Sequence, residues 1–132
     1  MARILVVEDE VNLSMLYDSE LSEEGHDVLL AHDGKKAIEL ALQEEPDLIV
    51  MDINLTEKMD GIESMSKILG EDKSIPIIIN TGYSEYKENF MTWAADAYVV
   101  KSGDMEPLKR EIERILNSKS EQPPAAEIRN GQ

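Results

Sequence analysis

Four places in this 132-residue chain hold side chains able to do chemistry, and each follows a short apolar run. Glu8 and Asp9 come after Ile4-Leu5-Val6-Val7, Asp52 after Leu48-Ile49-Val50-Met51, Thr81 and Gly82 after Ile77-Ile78-Ile79-Asn80, and Lys101 after Ala97-Tyr98-Val99-Val100. Apolar runs of this length, bounded by turn signals, read as buried parallel strands, so the four places are strand exits. Carboxylates are costly to bury unless a cation or hydrogen-bond donors meet them. Glu8, Asp9 and Asp52 at one rim repel one another unless a cation sits among them. A hard, oxygen-ligated cation is implied. Mg2+ suits two or so carboxylates, a backbone carbonyl and several waters, and leaves a position for a phosphoryl oxygen. Lys101 adds a point charge, and the Thr81 hydroxyl and Gly82 amide add donors. Metal, ammonium, hydroxyl and one nucleophilic carboxylate are what holding a phosphoryl group in line requires. Taken alone, the acids at 8–10 would equally suit the dipole of a following helix.

The elements that must position these groups alternate along the chain. Strands are expected over 3–7, 27–31, 48–51, 74–79 and 97–100. The first helix has Leu13, Leu16, Tyr17 and Leu21 on one face and ends at Gly25, where a left-handed cap is expected. The second turns Ala37, Ile38, Ala41 and Leu42 inward and is stopped by Pro46. Asp60-Gly61-Ile62-Glu63 has the form of a capping box opening a third helix, which buries Ile62, Met65, Ile68 and Leu69. Tyr86, Phe90, Trp93 and Ala94 mark a fourth helix. A last helix carries Leu108, Ile112, Ile115 and Leu116 and frays at Ser118 into a polar, proline-containing tail over 118–132, expected to be disordered. Five strands alternating with five helices, the strands apolar on both faces, predict a doubly wound α/β domain with a parallel sheet. In such folds the functional crevice lies at the carboxyl ends of the strands, where strand order reverses. Strand two exits into Ala31-His32 with nothing comparable to the other four, which makes it the edge. An order of 2-1-3-4-5 brings the polar exits together.

Composition narrows the class. The length suits one domain, expected over 1–117. A hydrophobic fraction of 42% and a charged fraction of 31% are those of a globular protein. No apolar run approaches the roughly 18 residues of a membrane span, and Met1-Ala2-Arg3 enters a strand without a signal-peptide pattern, so a cytoplasmic address is expected. The absence of cysteine excludes disulfides and thiolate metal sites. A net charge of -15 repels nucleic-acid phosphates and anionic membranes, which argues against direct DNA binding. His26 and His32 are expected to flank the edge strand without a role.

Together, Glu8-Asp9, Asp52, Thr81 and Lys101 at strand exits, Tyr98 three residues before the lysine and Asp60-Gly61 after the central strand resemble a response-regulator receiver domain. The type is the flavodoxin-like, CheY-like (βα)5 single-domain form, and the resemblance covers residues 3 to about 117. It implies that Asp52 accepts a phosphoryl group from a phosphohistidine on a sensor kinase or phosphotransfer protein. Asp9 and Asp52 would ligate Mg2+ directly, Glu8 through water, and the Asn54 carbonyl would complete the set. Lys101 would pair with phosphoryl oxygens, which Gly82 and Asn54 would also adjoin. Thr81 would swing toward the phosphate and Tyr98 rotate inward, altering the surface of the fourth helix, fifth strand and last helix for a downstream protein target or onward phosphotransfer. The chain would catalyse its own phosphorylation and dephosphorylation without being a conventional enzyme. No output domain is expected after the last helix. Two positions depart from the family pattern: Thr56 stands where a proline is common, in a loop one residue longer, and Ser102 stands where a cis proline commonly follows the lysine.

Three other readings compete. A haloacid-dehalogenase-like aspartyl phosphatase would need a second acid two residues after its nucleophile, where this chain has Asn54. A flavin-binding module would need a Ser/Thr/Gly-rich loop after strand one, where Glu8-Asp9-Glu10 would repel phosphate. A degenerate receiver would act as a phosphorylation-independent binding module.

Overall fold

The computed structural model describes residues 2–53, 61–71, 74–82 and 95–121. Their elements run β1 (Arg3–Val7), α1 (Val11–Glu23), β2 (Asp27–Ala31), α2 (Gly34–Glu44), β3 (Leu48–Met51), α3 (Gly61–Glu71), β4 (Ile77–Thr81), β5 (Ala97–Val100) and α4 (Glu106–Glu121). The five strands are parallel, in the order β2-β1-β3-β4-β5. This is the expected order, with β2 at one edge. The Asp60 cap, Asn54, Thr56 and the helix expected around Tyr86, Phe90, Trp93 and Ala94 lie outside the described residues.

Helices cover both faces, which is why the inner strands read as continuous apolar runs rather than alternating ones. On one face Leu5, Val7, Ile49, Met51, Ile77 and Ile79 pack with Ala37 and Ala41 of α2 and with Met65 and Ile68 of α3. On the other, Ile4, Val6, Leu48, Val50 and Ile78 pack with Tyr17 and Leu21 of α1 and with Leu108, Ile112 and Ile115 of α4. Each fully buried leucine or isoleucine contributes about 1.5–3 kcal/mol of transfer free energy, and the two clusters together hold the strand ends at one rim. Asp33 caps α2 by accepting from the Lys36 amide at 2.8 Å. Gly25, at φ 96, takes the left-handed conformation expected just past α1.

Four expectations are corrected. Leu16 of α1 and Leu42 of α2 are 45% and 40% exposed rather than inward. Ser14 takes the buried place on α1, because its hydroxyl is satisfied by the Val11 carbonyl at 2.7 Å and by His32 Nε2 at 3.1 Å. His32 thus has a partner at the end of the edge strand. β4 begins at Ile77, after Pro76, and runs through Asn80 and Thr81 instead of stopping before them. Proline offers no amide to a ladder, whereas the Ile77 amide donates to the Asp96 carboxylate at 2.8 Å. α4 continues to Glu121, past the expected fraying point at Ser118. Ser118-Lys119-Ser120-Glu121 contains no breaker, and the first proline is Pro123.

Candidate functional site

Backbone hydrogen bonds across the sheet fix each functional exit relative to its neighbour. The Glu8 amide donates to the Ala31 carbonyl at 2.9 Å, the Asp52 amide to Val7 at 3.1 Å, and the Lys101 amide to Thr81 at 2.7 Å. Each residue is therefore the first beyond its strand and still tied to the ladder. Glu8, Asp9 and Asp52 converge, each offering a carboxylate oxygen within 4.8 Å of the others. Glu8 and Asp52 are buried, at 2% and 6% exposure, and Asp9 is half-buried.

Lys101 reaches into the acids from the far side of β4. Its ammonium donates to Glu8 Oε1 at 2.6 Å and to Asp52 Oδ2 at 2.9 Å. Burial alone would lower the lysine pKa, but the two hydrogen bonds and the charges of Asp52 and Glu8 outweigh it, so the ammonium titrates well above the ordinary lysine range. Glu8 shows the opposite balance. Burial pushes its carboxyl up, against the pull of the Lys101 hydrogen bond, the Glu10 amide and the lysine charge. Three carboxylates face one ammonium, so one cation is still wanted. An all-oxygen set of close carboxylates fits a hard divalent cation, and Mg2+ among them.

Thr81 ends β4 fully buried, and among the described residues its Oγ1 has no hydrogen-bond partner. Leaving a buried hydroxyl unsatisfied costs about 1–3 kcal/mol. A hydroxyl in that state at this rim suits an incoming phosphoryl oxygen. Gly82 follows, exposed. Tyr98 is 9% exposed and packs on the α2–α3 face with Met51, Ile53 and Ile79. Thr81 stands two residues beyond Ile79 on β4 and so shares that face. Asn54 lies outside the described residues. The Lys101–Ser102 peptide is not cis. The Ser102 hydroxyl and Asp104 backbone bond each other at 3.2 Å, closing the turn after the lysine.

One buried contact was not legible in the sequence. Asn80 Nδ2 donates to the Tyr17 hydroxyl at 2.8 Å across the interior. Tyr17 reads in sequence as part of an apolar helix face and Asn80 as a strand stop. The available signal was an amide directly following three isoleucines.

Comparison with known proteins gives the family. The family model for the response regulator receiver domain matches residues 4–113. Response regulator ArlR of Staphylococcus saprophyticus is 37% identical over 118 residues, covering 88% of this chain and 53% of ArlR. The chain thus spans about half the length of that relative. Among solved structures, response regulator TrrA of Thermotoga maritima in complex with Mg2+-BeF is 38% identical, with a TM-score of 0.80, covering 86% of this chain and 98% of that one. TrrA has also been solved in complex with the histidine kinase ThkA, with a TM-score of 0.80 at 38% identity, covering 88% and 99% of the two chains. With its sheet order, its acid cluster and its lysine in place, the chain belongs to the response regulator receiver domain family.

Proposed function

We propose that this receiver accepts a phosphoryl group on Asp52 from a phosphohistidine of a partner kinase or phosphotransfer protein, in a Mg2+-dependent reaction. The observation that carries the reading is the Lys101 ammonium, 2.9 Å from Asp52 Oδ2 and 2.6 Å from Glu8 Oε1, at the rim where three carboxylates meet. An Asp52 oxygen attacks phosphorus, the new O–P bond forms, and the P–N bond breaks with its electron pair leaving on the imidazole nitrogen. The Lys101 ammonium, donating to Asp52 Oδ2 at 2.9 Å, fixes the orientation of the carboxylate. As the acyl phosphate forms, the Lys101 ammonium passes from the carboxylate to a phosphoryl oxygen and Thr81 Oγ1 donates to another. These contacts exist only with phosphorus in place, so they favour the transition state and product over the free site. Asp9 and Asp52, Glu8 through water and the Asn54 carbonyl would hold Mg2+, whose charge neutralises the phosphoryl oxygens.

The kinase as donor is supported by the complex of TrrA with ThkA, and the metal by TrrA with Mg2+-BeF. Output would follow from Thr81 and Tyr98 shifting the surface around β5 and α4 toward a downstream protein, with the chain acting in the cytoplasm and catalysing only its own phosphorylation and dephosphorylation. Intact mass after incubation with acetyl phosphate, with and without Mg2+, tests the reading. One added phosphoryl that requires Mg2+ and is absent from Asp52→Asn is expected. No adduct in the wild-type chain would leave a phosphorylation-independent binding module.

A further inference from the structure

Asn80 is out of keeping with its strand. Ile77, Ile78 and Ile79 before it are wholly buried, and Asn80 itself is only 3% exposed. An amide in such a place must find partners, and an apolar residue would meet no such demand. Its Nδ2 finds the hydroxyl of Tyr17, 63 residues away and 4% exposed. The Tyr17 oxygen accepts here, so the hydroxyl keeps its own proton for a further acceptor. Beside the pair lies a cavity of about 10 Å3 whose polar wall is Tyr17, Asn80, Lys101, Ser102 and Asp104 and whose other wall is apolar, with Val99 and Leu108 among its residues. That is about the room one water needs, and the polar wall offers it hydrogen-bond partners.

The pair also lies at a mechanical junction. β3 separates β1 from β4, and Asp52 leaves from β3. Tyr17 belongs to α1, the helix that follows Glu8 and Asp9, whereas Asn80 precedes Thr81, whose carbonyl accepts from the Lys101 amide. One buried hydrogen bond therefore crosses beneath the Asp52 strand and joins the element carrying two acids to the strand ends carrying Thr81 and Lys101. It does so on the face opposite Tyr98, since Tyr17 packs with Val99 while Tyr98 packs with Met51.

We propose that the Tyr17–Asn80 pair, with one water in the adjoining cavity, is a positioning device for Lys101, keeping its ammonium at the Asp52 rim, where it meets the incoming phosphoryl group. The pair touches no reacting atom and acts through the lysine. The inference rests on the phosphoacceptor reading above.

The test uses the full chain with acetyl phosphate and Mg2+, following the rate of adduct formation by intact mass. Tyr17→Phe keeps the ring and removes the hydroxyl. It is expected to slow phosphorylation about tenfold, the scale of a small misplacement of a catalytic group, with Mg2+ affinity by calorimetry changed less than about twofold. In a Lys101→Ala background the same substitution should change the rate by less than about twofold, because the group it positions is gone. Tyr17→Phe combined with Asn80→Leu removes the orphaned amide and should recover the melting temperature without recovering the rate. Wild-type rate in Tyr17→Phe, equal slowing with and without Lys101, or a rate restored along with stability in the double variant would each overturn the inference. A wild-type chain that forms no Mg2+-dependent adduct sinks the phosphoacceptor reading itself, and the inference with it.

Discussion

At the scale of single residues, the site is a balance between one ammonium and three carboxylates. Lys101 offsets the desolvation of Glu8 and Asp52, and removing one partner of a buried ion pair leaves charge uncompensated, at about 3–5 kcal/mol when the pair is wholly enclosed. The Lys101 side chain is 22% exposed, so Lys101→Ala is expected to cost less, about 2–3 kcal/mol, in metal-free urea unfolding at pH 7. The loss should shrink in Mg2+, where the acids gain another cation. An equal loss with and without Mg2+ would place the lysine's stabilising role outside the cluster. Glu8 gives a pH signature of known sign. Burial raises its carboxyl above the ordinary 4.5, so the folded chain holds a proton that the unfolded chain has released. Its contribution to stability is therefore complete below pH 4.5 and is lost as pH rises through the higher folded value. Glu8→Gln should remove that decline. The difference in unfolding free energy between wild type and variant, measured without metal from pH 4 upward, should change steadily with pH and then level off. A constant difference would mean that the Glu8 carboxyl is not raised. These residues were legible in the sequence because each breaks an apolar run at a strand exit. Tyr17 and Asn80 were not, since a tyrosine suits an apolar helix face and an asparagine suits a turn.

At the scale of elements, strand type and order could be read because polar exits and continuous apolar runs select a parallel sheet with β2 outside. Element ends were less legible. β4 takes in Asn80 because Tyr17 satisfies its amide, a contact 63 residues distant that no local pattern contains. Leu16 and Leu42 share the apolar character of their neighbours, yet each stands about 100° around its helix from the adjacent buried residue, Tyr17 or Ala41. Asp33, by contrast, acts within the first turn of its own helix. It precedes Gly34 at the start of α2, and its carboxylate accepts from the Lys36 amide at 2.8 Å. Asp33→Ala is expected to destabilise the chain by about 1 kcal/mol, the usual worth of a helix N-cap, with Asp52 phosphorylation by acetyl phosphate unchanged. Thermal unfolding and intact mass read the two separately. A slowed phosphorylation would show that the start of α2 is coupled to the acids, beyond its part in holding the helix.

At the scale of the whole molecule, a net charge of -15 makes any cation stabilising to some degree, because the compact state concentrates repulsion that salt relieves. Site binding differs from this in being saturable and in requiring particular residues. A ligand that binds only the folded state stabilises it by RT ln(1 + [L]/Kd), about 2.7 kcal/mol at a hundredfold excess over Kd. For a domain of this length that corresponds to a rise in melting temperature of roughly 10 °C, lessened by weak binding of Mg2+ to the acidic unfolded chain. Sodium chloride at matched ionic strength should give only the smaller, unsaturating rise due to screening. Asp9→Asn should bring the Mg2+ curve down to the sodium curve while lowering the formal charge by just one in fifteen, too little to alter screening. If Mg2+ and sodium chloride raise the melting temperature alike, or if Asp9→Asn keeps the full Mg2+ response, then the convergence of Glu8, Asp9 and Asp52 is an acidic rim neutralised by Lys101 alone, and the case for metal-assisted phosphoryl transfer at Asp52 falls with it.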